Sequence, residues 1–477
     1  MIDVVAYIKE RIPEYQTMPD DQIENHVVDA VISTPYPRAT PEQIHEIVRD
    51  DYYPGLFQMI ERSRTPEFLL EENKVGFNDW ILRKFDSEIE QFYEDPFLRE
   101  RIENLGRNTL LQYCRSILDF RLSKNRSFME IISNQEYSDY FRRIIVFLLT
   151  GNPFYIFHSH KSFNQMGREI APKILSMTAE YTLRDRLFQS IATGMMGMDI
   201  KERRSSTAPI SLNSSLDLVG STITQLTERL AKDISSSEKI GIDCFEEYER
   251  EVIYGENLQI VWFTDDYIET IFEMKFIEEQ MTVNKTLSFT LVPRFDSYAN
   301  DASYCDVIDM LELEELSALK QYYQQGRFGV CRDGMDISTV DFLRMSAELY
   351  KIMRPADICV LSGARAYEMG QGLNKVAYYT GIAVCKSYTE SITGFSRDSG
   401  KLIFLRQDAG EHSFESFRDR AWRTMEDNDN IIHVAGVTAK EYNWKKRNKT
   451  NTNPNPLKTV YGKREQYRVG RDAYDID

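Results

Sequence analysis

Cysteine is sparse and never closely paired. The six cysteines, Cys114, Cys244, Cys305, Cys331, Cys359 and Cys385, include no CxxC motif and no repeated short spacing. No disulfide framework is expected from them, and they read as the reduced thiols of a cytoplasmic protein. Positive charge is short as well: 58 Lys and Arg face 75 Asp and Glu, a formal net charge of −17. A duplex phosphate backbone would be repelled by most of such a surface, so no nucleic-acid partner is expected. Long apolar runs are lacking too. The most apolar stretch, from Ile144 to Phe157, is broken by Gly151, Asn152 and Pro153 and is too short to span a bilayer. The opening MIDVVAYIKERIPEYQ is charged throughout, without the apolar centre of a signal peptide. No membrane association is expected.

What is present is a long globular chain. Its 477 residues exceed one typical domain, and a hydrophobic fraction of 42% is ample for a buried core. Over residues 1–200 the apolar positions recur at helical spacing, as in NTLLQYCRSILDFRL, so a helical domain is expected there. Within it, Thr40 before Pro41-Glu42-Gln43 reads as a helix cap with proline at the first helical position. Residues 201–256 read as a Ser-rich linker, KERRSSTAPISLNSS, followed by connecting helices. From 257 to 438 the texture changes. Short β-rich runs (QIVWF, LSFTLV, FGVC, DICVL, GIAVC, KLIFLR, NIIHVA) alternate with helical stretches (YIETIFEMKFIEEQM, VDFLRMSAELYKIM, SFESFRDRAWRTM). That alternation predicts a three-layer α/β/α domain with a mainly parallel sheet. Residues 439–477, basic and rich in Asn and Pro, read as a flexible tail.

The most informative feature is acidic. Thr264-Asp265-Asp266 follows QIVWF, Asn300-Asp301 follows LSFTLVP, and Asp333-Gly334-Met335-Asp336 follows RFGVC. In an open α/β sheet, ligands bind beyond the carboxyl ends of the strands, where side chains from separate strand ends converge. Acidic residues at helix starts also serve as caps, and Asp333 and Asp336 also suit a plain turn around Gly334. Repetition at consecutive strand ends favours a divalent metal, because hard cations take oxygen ligands gathered from several segments. A metal would also let an acidic protein bind an anionic substrate.

These motifs resemble the metal-dependent damage-control phosphatases, which share the acidic-residue-methyltransferase-like metal-binding domain. The family's Asp-Asn-Ala-Gly-Glu motif is similar to Asp265-Asp266-Tyr267-Ile268-Glu269, and its Asn-Asp-x-Thr-x-x-Asp motif to Asn300-Asp301-Ala302-Ser303-Tyr304-Cys305-Asp306. Its Ala-Asp-Leu-x-x-x-Lys-Gly run, ending in a Tyr-Glu-like pair, is similar to the stretch from Ala356 to Glu368. A later strand with a basic residue matches Ile382 to Lys386. The order and spacing agree over roughly residues 255–410, and a helical region precedes the metal domain in the family as well. The departures are Asp266 for Asn, Ile268 for Gly, Ser362 for the Lys before Gly363, and Ala366 for Asn.

The resemblance implies a divalent-metal-dependent phosphatase, a phosphomonoester hydrolase acting on a small phosphorylated metabolite. Asp265, Asp266 and Asp301 would bind Mn²⁺ or Mg²⁺, with Co²⁺ or Ni²⁺ as other candidates. Asp265, Asp301 and Lys386 would be catalytic, Lys386 and Arg365 holding phosphate oxygens. Asp333, Asp336 and Glu368 would bind substrate hydroxyls or position water. Two other readings stand beside it. One is a carboxyl methyltransferase of the same fold, although FTDDYIET lacks the glycine loop of a nucleotide-type cofactor site. The other is a metal-binding member without hydrolysis, with a specialised biosynthetic or binding role.

Overall fold

The protein is described from a computed structural model. The described residues are 4–20, 22–23, 36–49, 82, 85–86, 88–90, 92–93, 95–114, 134–152, 158–205, 212–295, 301–335, 340–363, 366–367, 370, 372–382 and 400–410. Helices come first: α1 (Val4–Arg11), α2 (Pro41–Ile47), α3 (Pro96–Leu105), α4 (Asn134–Thr150), α5 (His158–Met177), α6 (Leu183–Ser205) and α7 (Leu212–Ser235). Then follow β1 (Ile240–Asp243), β2 (Gln259–Phe263), α8 (Tyr267–Val283), β3 (Ser288–Val292), α9 (Tyr304–Met310) and α10 (Ser317–Gln324). The last are β4 (Phe328–Val330), α11 (Ala347–Met353), β5 (Ile358–Ser362), β6 (Val376–Ile382) and β7 (Leu402–Gln407).

The strands form one seven-stranded sheet in the order β1-β7-β6-β5-β2-β3-β4. From β6 to β4 all neighbours are parallel; β7 turns antiparallel to β6, and β1 lies parallel to β7. This is the expected α/β class with a mainly parallel sheet. The chain passes from β2 to β3 on one side and later returns to lay β5 on the other side of β2. The carboxyl ends of β2 and β5 therefore flank the point where strand order reverses, the usual ligand crevice of an open α/β sheet.

Both faces of the sheet are covered. Ile260, Trp262, Phe289, Leu291, Val360, Tyr378 and Phe404 point to one face, in a single core with Ile170 and Ile174 of α5, Leu187 and Ile191 of α6, Ile223 and Leu230 of α7, and much of α8. On the opposite face, Phe263 meets Phe342 edge-on at 5.7 Å, Tyr379 meets Tyr367 at 4.6 Å, and the Cys359 thiol lies 4.0 Å from the Met353 sulfur. A separate core joins Val4 and Ile8 of α1, Leu98 and Ile102 of α3, and Ile144 to Leu149 of α4. Helices α5 to α7, although continuous in sequence with the helical first part, thus pack in the core of the sheet.

Local sequence explains the key elements. Helix α8 is buried on nearly every side, as expected of a helix with apolar residues all round. Helix α2 starts as the sequence predicts: Thr40 accepts from the Gln43 amide at 3.3 Å, the Gln43 side chain accepts from the Thr40 amide at 2.9 Å, and Pro41 takes the first position. Parts of 201–215 are helical, since α6 runs to Ser205 and α7 begins at Leu212. A strand, β1, stands where only connecting helices were expected. β6 begins at Val376, ahead of the expected GIAVC, because Tyr378 and Tyr379 are buried on both faces of the sheet. The runs NIIHVA and SFESFRDRAWRTM and the tail 439–477 lie outside the described residues. Among the described residues, no helix is long and apolar enough to cross a membrane.

Candidate metal centre

Three carboxylates converge just past the ends of β2 and β3. Asp265, Asp266 and Asp301 each offer one oxygen, and these atoms all lie within 4.8 Å of one another. The backbone holds this closeness. Ala302 N–H donates to the Asp265 carbonyl at 2.9 Å, and Asp266 and Asp301 form an isolated antiparallel bridge. Parallel pairing of β2 with β3 in register, Phe263 opposite Val292, delivers the two loops side by side.

Asp266 stands at the N-cap of α8, yet its side chain makes no capping hydrogen bond. The capping explanation, open on sequence grounds, therefore does not account for its carboxylate. At the next helix it does: Ser303 accepts from the Asp306 amide at 3.3 Å, while Asp306 accepts from the Ser303 amide at 2.9 Å and its hydroxyl at 2.6 Å. Asn164 also donates to Asp306 at 3.0 Å, tying α5 to α9.

Gly363 closes the crevice from β5. Its φ of +90° lies where side chains are rarely tolerated, and a Cβ there would stand 2.5 Å from Cγ of Asp265. The backbone thus comes up against the Asp265 carboxylate, an approach only glycine allows.

Beneath the triad lies a second acidic layer, formed by Glu269 and Glu273 one turn apart on α8, both buried. Ser362 donates to Glu269 at 3.1 Å and accepts from the Thr380 hydroxyl at 2.9 Å. Burial, the neighbouring Glu273 and the Asp265 and Asp266 carboxylates raise the Glu269 pKa well above the carboxylate range. Burial likewise pushes Glu273 up to about 8, against the opposing influence of the Ser362 hydroxyl and the Trp262 indole N–H. Neither donor reaches hydrogen-bond geometry with Glu273, and both its oxygens are unsatisfied. A Cβ at Gly194 of α6 would stand 2.8 Å from Glu269 Oε2, so the small residue leaves room for that carboxyl.

Asp333 is fully buried and turned inward. Its Oδ1 accepts from the Phe295 and Met335 amides at 3.0 and 3.1 Å, and Oδ2 faces the Arg294 guanidinium at 3.5 Å. Burial pushes the Asp333 carboxyl up to about 6, with Arg294 and these amides pulling the other way. Expected to meet substrate hydroxyls, Asp333 has no exposed surface and holds protein groups instead. Asp336, Arg365, Glu368 and Lys386 lie outside the described residues.

Sequence reasoning missed Arg294. It is 2% exposed and donates through Nε to Asp301 Oδ2 at 3.1 Å. Burial lowers its pKa, but the Asp301, Asp333 and Asp265 carboxylates outweigh burial and raise it. The available signals were a single charge two residues beyond an apolar strand and, for the second layer, two glutamates four apart on α8, a weak signal because that helix also carries Lys275, Glu278 and Glu279.

The donor set fits a divalent cation. Three carboxylate oxygens come from two strand ends, and Arg294 offsets only part of their charge. Oxygen-only ligation of this kind suits Mg²⁺ or Mn²⁺.

No family model matches the chain, and no curated protein matches it. Among solved structures, a DUF89 family protein from Pyrococcus horikoshii is similar over 68% of this chain and 97% of its own, at 17% identity and a TM-score of 0.46.

Proposed function

We propose that the chain is a divalent-metal-dependent phosphatase that hydrolyses phosphomonoesters of a small metabolite. The observation that carries the reading is the convergence of Asp265, Asp266 and Asp301 at the switch point of a mainly parallel sheet. These three residues would hold the ion. When bound, a divalent ion polarises a phosphoryl oxygen and offsets charge that builds up in the transition state. The Gly363 backbone and the Arg294 guanidinium keep Asp265 and Asp301 in place. Lys386 and Arg365 are assigned to the remaining phosphate oxygens on the motif resemblance, Arg being suited to two-pronged contact. Glu368 and Asp336 are assigned to substrate hydroxyls on the same basis.

One observation favours a second reading, metal binding without hydrolysis. Ser362 is buried and engaged with Glu269 and Thr380, so the position where the resembling family carries a lysine is neutral and turned inward. The glycine-free turn Thr264 to Asp266 between β2 and α8 counts against a methyltransferase with a nucleotide-type cofactor. The test is phosphate release from a panel of sugar phosphates and a generic phosphate ester by metal-stripped protein, with and without Mg²⁺, Mn²⁺, Co²⁺ or Ni²⁺. Release restored by metal supports the phosphatase; metal binding with no release on any ester supports the second reading.

A further inference from the structure

We infer that Arg294 and Asp333 form a positioning clamp that fixes the orientation of Asp301 at the metal centre. The inference rests on the metal-centre reading above.

The clamp begins in the backbone. Just beyond β3, Arg294 N–H donates to the Ala302 carbonyl at 3.1 Å, and its own carbonyl accepts from Tyr304 N–H at 2.9 Å. The segment carrying Asp301 is thus fastened to the extension of β3 on the chain side of the metal ligand. The Arg294 side chain fastens it a second time, because Nε–H holds Oδ2 of Asp301. With Oδ2 engaged, the rotation that exchanges the two oxygens is blocked, and the carboxylate keeps one orientation toward Asp265 and Asp266.

A flexible arginine would fix nothing, and Asp333 supplies the rigidity. One of its oxygens binds the amide of Phe295, the residue after Arg294, while the other faces the Arg294 guanidinium. The two links reach adjacent residues and close a small ring around the Arg294 backbone. Asp333 is itself anchored by Met335 N–H and by its own amide, which donates to the Pro293 carbonyl at 3.1 Å. Gly334, next to it, packs closely: its φ is +64°, and a Cβ there would meet Ser346 Cβ at 2.5 Å. Arginine is needed because its planar fork spans two carboxylates from different nitrogens, whereas a lysine ammonium is a single point charge. Partners of metal ligands commonly carry about 10- to 100-fold of metal affinity.

The test measures Mn²⁺ affinity by calorimetry on full-length metal-stripped wild type, Arg294→Lys, Asp333→Asn and the double variant, with urea unfolding of each apoprotein. Asp333→Asn keeps an oxygen for the two amides and so retains the fold while the ion pair is lost. Each single variant is expected to bind Mn²⁺ about tenfold more weakly. The double variant is expected to be no weaker than Arg294→Lys, since both changes act through one contact. A purely structural role would lower the urea midpoint and leave the affinity of the folded protein unmoved. Folded Asp333→Asn or Arg294→Lys binding Mn²⁺ as tightly as wild type, or more tightly, overturns the clamp. Wild type that binds no divalent ion overturns the metal-centre reading itself.

Discussion

Gly363→Ala tests how tightly the crevice is built. The added Cβ would press on Oδ2 of Asp265 and stand 2.5 Å from its Cγ, whereas ordinary contact begins at 3.4 Å, so the carboxylate must retreat by at least about 0.9 Å. Productive ligand geometry tolerates about 0.5 Å. The variant is therefore expected to lose at least about tenfold in Mn²⁺ affinity, or about 1.4 kcal/mol. Backbone strain at positive φ adds a separate cost to stability of about 1–3 kcal/mol. Gly326 separates the two effects, because its φ is +73° and nothing lies within 4 Å of the position a Cβ would take there. Gly326→Ala should lose stability by the same mechanism and bind Mn²⁺ as wild type does. The assay is calorimetric Mn²⁺ titration of metal-stripped protein, paired with urea unfolding. Wild-type affinity in Gly363→Ala would refute the idea that the Gly363 backbone holds Asp265 in register.

Two further predictions address the layers around the site. Burial pushes the Glu273 carboxyl up to about 8 from 4.5, so the folded state holds this proton more tightly than the unfolded chain does. Its contribution is complete below about 4.5 and is lost as pH rises through about 8. Metal-free Glu273→Gln should flatten the fall in urea stability across that window, and curves parallel to wild type would count against the buried acid. Arg186 is 1% exposed and links Glu279 to Gln189 and Thr178, joining α6 to α8. Arg186→Met should cost about 3 kcal/mol of stability by taking the cation from the Glu279 carboxylate and the donor from Gln189 Oε1, with Mn²⁺ affinity of the folded protein unchanged. A wild-type urea midpoint would show that the network contributes nothing.

Much of the sheet was legible because its strands carry continuous apolar runs. IVWF of β2 and ICVLS of β5 are buried on both faces, LSFTLV of β3 is buried on one face and half-buried at Ser288 and Thr290 on the other, and each run became a strand. β1 escaped notice because IGID is short, half-exposed and contains glycine. Helical spacing in α5 and α6 revealed an apolar face but not what covers it, so their packing on the sheet was not readable. The convergence of Asp265, Asp266 and Asp301 was legible since carboxylates recur at successive strand ends. The inward turn of Asp333 was not: a lone acid beside glycine reads the same whether it faces solvent or caps the Phe295 and Met335 amides. Arg294 was hidden for a related reason, because one charge after an apolar strand ordinarily belongs to a solvated surface.

The most direct measurement is Mn²⁺ binding by metal-stripped wild type and Asp301→Asn, followed by calorimetry, with circular dichroism to verify folding. Asn preserves the size of the side chain and an oxygen for Arg294, so the fold should persist while the charged oxygen facing Asp265 and Asp266 is lost. The account predicts one Mn²⁺ per wild-type chain and none for a folded Asp301→Asn. Equal affinity in the two proteins would contradict it and remove Asp301 from the metal centre.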